Sequence, residues 1–259
     1  MRLARFAAEG QILEGRYEED ALVVASGHRY DPAQVTWLPP VAPPKVIGLA
    51  LNYADHVKEL SKVDLPSEQA NTIKQAPALF FKPLTSLIGH GGRIVYPTGV
   101  DYLHYEGELA VVIGRAGRRI RESEAMHYVK GYTIGNDVTV RDFVLNFYRP
   151  PVKAKGWDTF GPLGPYLVTA DELTDPTNLE LRTLVNGEVR QHGNTRDLIY
   201  SIPQIIAYVS EFLTLEENDV LLTGTPQGIS RIHPGDTVRV EVEGIGALEN
   251  RVVAEDVSG

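Results

Sequence analysis

Short apolar runs, each broken after a few residues by glycine, proline or charged residues, recur along most of the chain. The clearest case is residues 179–189, where Asn186-Gly187 lies between two β-prone arms and is typical of a two-residue hairpin turn. The runs do not alternate with long helical patterns, as a doubly wound fold requires. The sequence therefore predicts a mostly β (α+β) fold.

The helices and strands that can be predicted fit one large domain with a small appendage. Strands are expected at 46–51, before Pro83, at 105–113, at 131–136, at 220–222 and at 238–242. Helices are expected over 53–60, 122–129 and 201–213, the last with Ser201 as N-cap and Pro203 in its first turn. Residues 1–42 contain three short apolar runs split by acidic residues and predict a small N-terminal β-domain. A stretch with four prolines between residues 39 and 44 separates it from a larger domain over 43–259.

Two glutamates precede the most apolar of the predicted strands. Residues two apart in a strand point to the same face, so Glu106 and Glu108 are predicted to project together. Like charges at the mouth of a buried strand are costly unless a cation lies between them, and Asp137, at the end of another apolar strand, is the predicted third ligand. Oxygen ligands favour Mg²⁺, Mn²⁺ or Ca²⁺ over zinc. The alternatives are a solvated strand face for the glutamates and a turn or helix cap for Asp137.

Candidate proton-transfer and anion-binding groups lie elsewhere. His56 and Glu59 are three residues apart on a predicted helix, so the carboxylate can raise the basicity of the imidazole, as a general base requires. Lys155, with Lys153, lies in a Pro- and Gly-containing loop that is suited to an anionic substrate or an enolate. Each of these patterns is also typical of solvated surface residues. Thr225 lies in a glycine-containing turn that lacks the spacing of a phosphate-binding loop.

Charge and composition exclude several classes of protein. A formal net charge of -9 opposes general nucleic-acid binding, although a local cation can still attract an anionic substrate. The chain has no cysteine, which excludes disulfides and thiolate metal sites. Neither a signal peptide nor an apolar run of membrane-spanning length is recognisable. These features predict a cytoplasmic protein.

The order of several motifs resembles that of the fumarylacetoacetate hydrolase superfamily from about residue 45 onward. They are LNYADHVKEL at 51–60, FFKP at 80–83, HYEGELAVVIG at 104–114, GYTIGNDVTVRD at 131–142, KGWDTFGPLGP at 155–165 and LLTGTPQGI at 221–229. NFYRPPVKAK at 146–155, LRTLVNGEVRQ at 181–191 and SIPQIIAYVSEFLTL at 201–215 are similar to the isomerase/decarboxylase branch of 4-hydroxyphenylacetate (homoprotocatechuate) degradation. The resemblance implies a mixed β-roll with a small N-terminal β-domain, usually dimeric.

The resemblance also implies roles for individual residues. The metal-binding carboxylates match Glu106, Glu108 and Asp137, usually with Mg²⁺ or Mn²⁺, and the pocket lysine matches Lys155. His56 and Glu59 match a His–Glu pair that relatives carry on a lid. The substrate-side positions match Tyr148, Arg149 and Thr225.

The implied substrate is a small 2-oxo or 2-hydroxy-enoate dicarboxylate. The implied reactions are isomerisation of 2-hydroxyhepta-2,4-diene-1,7-dioate and decarboxylation of 5-oxopent-3-ene-1,2,5-tricarboxylate. Some relatives are tandem duplicates of this unit, whereas this chain carries one copy. Val144 stands where several hydrolase and oxaloacetate decarboxylase relatives carry glutamine. The alternatives are an acylpyruvate hydrolase or oxaloacetate decarboxylase on the same scaffold, and a non-enzymatic metal-dependent binding protein.

Overall fold

The computed structural model describes residues 1–61, 76–144 and 150–256. A long mixed sheet runs through this part of the chain, in the strand order β4-β3-β2-β1-β14-β12-β11-β17-β6-β7, with β5 added on β1 and β8 on β14. Its strands are β1 (Arg2–Ala8), β2 (Gln11–Glu18), β3 (Ala21–Val24), β4 (Arg29–Tyr30), β5 (Thr36–Leu38), β6 (Val46–Ala50), β7 (Ala78–Lys82), β8 (Leu87–Ile88), β11 (Gly107–Ile113), β12 (Val129–Asn136), β14 (Gly161–Thr169) and β17 (Val220–Leu222).

A second sheet has the order β16-β15-β18-β19-β9, and a two-stranded ladder joins β10 to β13. These strands are β9 (Arg93–Tyr96), β10 (Leu103–His104), β13 (Thr139–Val140), β15 (Glu180–Val185), β16 (Glu188–Asn194), β18 (Thr237–Val242) and β19 (Gly246–Ala254). The β15–β16 hairpin is confirmed, and its turn residues Asn186 and Gly187 both have positive φ, at 52° and 83°. This is the backbone that an Asn-Gly hairpin turn requires.

Helices are few and short in the described residues, so the mostly β fold class is confirmed. The α-helices are α1 (Ala54–Ser61), α2 (Val152–Lys155) and α3 (Ile202–Phe212), and the 3-10 helices are Leu84–Ser86, Glu122–Tyr128, Arg141–Phe143 and Thr195–Asp197. Ser201 caps α3 as predicted, in a reciprocal pair of hydrogen bonds with Gln204. No helix among the described residues is long and apolar enough to cross a membrane.

The helix expected over 122–129 is a 3-10 helix. It has only seven residues and its N-cap, Arg121, provides no side-chain hydrogen bond. Because it lacks a side-chain cap and β12 begins at Val129 directly after it, the segment does not extend into a longer α-helix and keeps the tighter 3-10 turn.

The main core lies between the long sheet and the second sheet and extends under α3. Every residue of β11 and β14 is buried, which explains the continuous apolar sequence of β11 after Glu108. Ile205, Ile206 and Val209 of α3 pack into the same core, on one face of the helix. Strand β1 pairs with β14 through Leu3 and Leu167, so the N-terminal strands extend the long sheet. The boundary at residue 42 stays a prediction.

Candidate metal centre and active site

The three predicted ligands converge where β11 begins and β12 ends. Gly107 pairs with Asn136 across these antiparallel strands, so Asp137 lies directly beside Glu106, and the backbone N–H of Asp137 donates to the carbonyl of Glu106 at 2.9 Å. One carboxylate oxygen from each of Glu106, Glu108 and Asp137 lies within 4.8 Å of the others. The strand expected over 105–113 is interrupted, because Glu106 lies just before β11, where its N–H donates to the Asn136 side chain.

Two buried lysines face this cluster. Lys155, at the end of α2, donates from Nζ to Glu106 Oε2 at 2.8 Å, to Asp137 Oδ2 at 2.6 Å and to Thr139 Oγ1 at 2.8 Å. Lys82, the last residue of β7, donates to Asp137 Oδ1 at 2.5 Å and to the carbonyl of Lys155 at 2.7 Å. Asp137 therefore has a lysine on each oxygen.

Glu108 stands apart from this pairing, because the hydrogen bond described for it comes from the backbone N–H of Gly224 at 2.7 Å. Its side chain is almost fully buried. Burial, and then the charges of Asp137 and Glu106, raise the pKa of Glu108 well above its ordinary value. The site thus contains three carboxylates but only two lysines that bond to them, and the atoms that could coordinate a cation are hard carboxylate oxygens. These residues fit a divalent cation such as Mg²⁺ or Mn²⁺.

The lysines respond to the same charges in opposite ways. Burial lowers the pKa of Lys155, but Asp137 and Glu106 outweigh burial and raise it, so Lys155 keeps its positive charge. Burial, reinforced by the charge of Lys155, lowers the pKa of Lys82 despite its bond to Asp137. Lys155 is therefore the permanent cation of the site.

His56 and Glu59 form the predicted pair on α1. His56 Nδ1 lies 2.8 Å from Glu59 Oε2, and Glu59 Oε1 accepts the backbone N–H of Gly228 at 3.0 Å. Burial raises the pKa of Glu59, but the bonds from His56 and Gly228 outweigh it and lower the pKa. The imidazole is buried. The hydrogen bond from Gly228 joins this pair to the segment after β17, which also carries Gly224 and Thr225.

The predicted substrate-side positions have different outcomes. The Thr225 hydroxyl donates to the carbonyl of Gly107 at 2.8 Å and accepts from Gln191 Nε2 at 2.8 Å, so the described structure engages it with protein atoms. Tyr148 and Arg149 lie outside the described residues. The roles of all three toward a substrate stay predictions.

The sequence did not identify three further polar residues of the site, which are Lys82, His104 and Gln191. A lysine at the end of the apolar run in β7 is itself a signal, since lysine is almost never fully buried without a partner. His104 is fully buried, with Nδ1 at 3.2 Å from the carbonyl of Tyr105 and 3.7 Å from Glu106 Oε1. Burial and the charge of Lys155 lower the pKa of His104 to about 4.

Comparisons with known proteins identify the family and the fold of the chain. The family model described as "Fumarylacetoacetate (FAA) hydrolase C-terminal" matches residues 45–253. A protein of Salmonella dublin named "4-hydroxyphenylacetate degradation bifunctional isomerase/decarboxylase" is 46% identical over 221 residues, which are 85% of this chain and 49% of the relative. The chain thus spans about half the length of the first curated relatives that it matches.

Solved structures are similar over nearly the whole chain. The 2-hydroxyhepta-2,4-diene-1,7-dioate isomerase from Mycobacterium marinum has a TM-score of 0.84 at 35% identity, covering 98% of this chain and 99% of its own. The maleylpyruvate hydrolase from Sphingobium sp. SYK-6, in complex with manganese(II) and pyruvate, has a TM-score of 0.82 at 29% identity, covering 99% of this chain and 100% of its own. The mixed β-roll expected from the sequence is thus the fold of these neighbours.

Proposed function

The chain belongs to the fumarylacetoacetate hydrolase family, and from that premise we propose that it is a divalent-metal-dependent isomerase of 2-hydroxyhepta-2,4-diene-1,7-dioate in 4-hydroxyphenylacetate catabolism. The observation that carries this proposal is the buried carboxylate cluster of Glu106, Glu108 and Asp137, with its oxygens within 4.8 Å of one another. The named activity of the M. marinum neighbour supports the substrate.

The same three carboxylates would hold Mg²⁺ or Mn²⁺. When bound, the ion would supply Lewis-acid charge that stabilises negative charge developing on the 2-oxo or 2-hydroxy-enoate substrate. Manganese(II) in the Sphingobium neighbour supports an ion of this type.

The chain's own residues then stabilise charge and move a proton. Lys155, whose pKa is raised, places a fixed positive charge on the side of Glu106 and Asp137, where an oxyanion develops. Isomerisation of this dienol removes the proton of its 2-hydroxyl group and adds a proton to a carbon of the diene, so that the enol becomes a ketone. His56 is the proposed shuttle, because Glu59 accepts from its Nδ1 and thereby holds the imidazole in the tautomer whose Nε2 is basic. Tyr148, Arg149 and Thr225 are proposed to contact the substrate.

Decarboxylation of 5-oxopent-3-ene-1,2,5-tricarboxylate is a second candidate activity at the same site. Loss of CO₂ leaves electrons on the carbon skeleton that the same positive charges can stabilise, so both reactions use one electron sink. The S. dublin relative is named as bifunctional, and this chain spans about half of it. A single copy with both activities is therefore a proposal to be tested directly.

Hydrolysis or oxaloacetate decarboxylation is the main rival, and the name of the Sphingobium maleylpyruvate hydrolase supports the hydrolytic alternative. The side chain of Val144 opposes this rival. It is apolar and 38% exposed, so it cannot orient an attacking water or a polar substrate oxygen by a hydrogen bond.

The decisive experiment is a substrate panel with Mg²⁺, with Mn²⁺ and with EDTA, followed by proton NMR. Isomerisation of the heptadienedioate that EDTA abolishes supports the proposal. Carbon–carbon hydrolysis products, or pyruvate from oxaloacetate, would favour the rival. Metal-dependent stabilisation without turnover of any 2-oxo diacid would identify a non-enzymatic binding protein.

A cytoplasmic location and a homodimer complete the proposal. The chain's composition motivates the location, and the family resemblance motivates the dimer. Cell fractionation tests the first, and sedimentation equilibrium of the purified chain tests the second.

A further inference from the structure

Strand β17 ends before the ligand-bearing end of β11 is reached. The backbone N–H and C=O groups of Gly107, Leu109 and Ile113 point toward β17, because alternate residues of an antiparallel strand bond to the same neighbour. Ile113 bonds to Asp219, and the carbonyl of Leu109 accepts from both the N–H and the hydroxyl of Thr223. Strand β17 does not extend as far as Gly107, which lies between the two glutamates. The buried N–H and C=O groups of Gly107 therefore need hydrogen-bond partners other than a neighbouring strand.

Gln191 and Thr225 replace the missing strand with a closed cycle of three hydrogen bonds. The N–H of Gly107 donates to Gln191 Oε1 at 3.2 Å, and Gln191 Nε2 donates to the Thr225 hydroxyl at 2.8 Å. The Thr225 hydroxyl donates to the carbonyl of Gly107 at 2.8 Å and so closes the cycle. Gln191 Nε2 also donates to the carbonyl of Pro226 at 2.7 Å, so both the nitrogen and the oxygen of the side-chain amide are hydrogen-bonded.

The second sheet holds Gln191 in place. Gln191 lies on β16 opposite Thr183 of β15, and its side chain is only 1% exposed. A Cβ on Gly107 would lie 2.3 Å from Thr183 Oγ1 and 2.9 Å from Val240 Cγ1, so the second sheet presses directly on the peptide between the ligands. The orientation of this peptide sets the directions in which the side chains of residues 106 and 108 leave the backbone.

We infer that Gln191 is a positioning residue for the metal centre. It acts through Gly107 and Thr225 and fixes the relative orientation of Glu106 and Glu108. The inference rests on the proposed function only in requiring that these carboxylates bind a divalent ion. Groups that orient metal ligands in this way typically change metal affinity by about 10- to 100-fold when they are removed.

The test measures Mn²⁺ affinity of the full chain by EPR of the free ion and by calorimetry, with no substrate present. Gln191→Met keeps the length of the side chain and removes all three bonds of the amide. Thr225→Val keeps the shape and removes the hydroxyl, whereas Thr225→Ser keeps the hydroxyl. Thr195→Val is the matched control, because the buried Thr195 hydroxyl also donates to a carbonyl, that of Pro176, and accepts an N–H, that of Leu179.

We expect Gln191→Met and Thr225→Val each to weaken Mn²⁺ binding about 10-fold or more. Thr225→Ser should restore most of the loss, and Thr195→Val should lower the melting temperature without changing the affinity. Because both residues act in one cycle, the double variant should bind Mn²⁺ little more weakly than either single variant.

Wild-type protein that shows no saturable Mn²⁺ binding would contradict the proposed function itself. Wild-type binding with unchanged affinity in Gln191→Met, or equal affinities in Thr225→Val and Thr225→Ser, would overturn the positioning role alone. If Gln191→Met does not fold, the two Thr225 variants decide the same point. An affinity loss in Thr195→Val as large as in Thr225→Val would show that general destabilisation is the cause.

Discussion

Glu108→Gln removes one negative charge from the proposed metal site and changes the size of the side chain very little. Glutamine has nearly the same size, and its Oε1 can still accept the Gly224 N–H that Glu108 accepts at 2.7 Å. The substitution removes a buried carboxylate that lies close to Glu106 and Asp137. We therefore expect the variant to be more stable than the wild type without metal and less stable with it.

The distances set the size of the effect. The ligand oxygens lie within 4.8 Å of one another, where two like unit charges repel by about 3.5 kcal/mol at an effective dielectric constant of about 20. Protonating a carboxyl group of ordinary pKa 4.5 at pH 7 costs about 3.4 kcal/mol. The combined repulsion from Glu106 and Asp137 is larger than this cost, so Glu108 takes up a proton. That cost is the upper limit of the gain, because protonation of Glu108 already relieves the repulsion. The positive charge of Lys155 offsets part of the repulsion. We therefore expect Glu108→Gln to raise the free energy of unfolding by about 2–3 kcal/mol, or the melting temperature by roughly 4–10 °C.

The gain depends on pH with a definite sign. The pKa of Glu108 is raised in the folded protein, so its contribution to stability is fully present below the ordinary pKa of 4.5 and is lost as the pH rises through the folded value. In EDTA, the advantage of Glu108→Gln should therefore grow as the pH rises from about 4.5 and level off above the folded pKa.

Thermal denaturation followed by circular dichroism, between pH 5 and pH 8, measures the effect in EDTA and in Mn²⁺. Mn²⁺ at a thousand times its wild-type dissociation constant should stabilise the wild type by about 4.1 kcal/mol and the variant far less. The order of the two melting temperatures should thus invert. A variant that is less stable than the wild type in EDTA at every pH, or equal stabilisation of both by Mn²⁺, would refute the reasoning.

Three further substitutions test other parts of the site. His56→Gln should lower kcat about 10²- to 10⁴-fold in the isomerase assay with Mn²⁺ affinity unchanged, since a general base is lost but no ligand; an unchanged kcat removes His56 from the mechanism. Lys155→Met should lower the stability in EDTA by about 3–5 kcal/mol, because it leaves two buried carboxylates without their shared cation; an unchanged melting temperature contradicts this. Gly107→Ala should cost about 1–3 kcal/mol, because its Cβ would lie 2.3 Å from Thr183 Oγ1. Adding Thr183→Ala should recover part of that loss, and no recovery would mean that the contact is not the cause.

Features that depend on a few adjacent residues could be predicted from the sequence. The Asn186-Gly187 turn and the Ser201 cap of α3 are confirmed because each is determined by the backbone preferences or side chains of its own segment. The pairing of β1 with β14 could not be predicted, since it joins residues 2 and 168 and depends on the whole sheet. Strand β14 itself was not predicted, because its two glycines and two prolines are not typical of a strand.

The candidate site divides in the same way. The convergence of Glu106 and Glu108 could be inferred because two like charges lie two residues apart beside an apolar run. The contact of Lys82 with the site could not be predicted, because its carboxylate partner, Asp137, is 55 residues away in sequence. The two residues meet only when the long sheet and α2 pack together. Gln191 is a similar case, since it lies on β16 of the second sheet whereas its partner Gly107 begins β11 of the first, 84 residues away.

A bound divalent cation would give the site a charge opposite in sign to that of the chain. The described site contains three carboxylates, Glu106, Glu108 and Asp137, and two lysines, Lys82 and Lys155. With all five side chains charged, a divalent cation would give the site one net positive charge. The whole chain has a formal net charge of -9. In a buried site the nearest charges dominate, because more distant surface charges are screened by solvent and salt. With a divalent cation bound, the local charge of this site would therefore attract a dicarboxylate substrate although the chain as a whole is acidic.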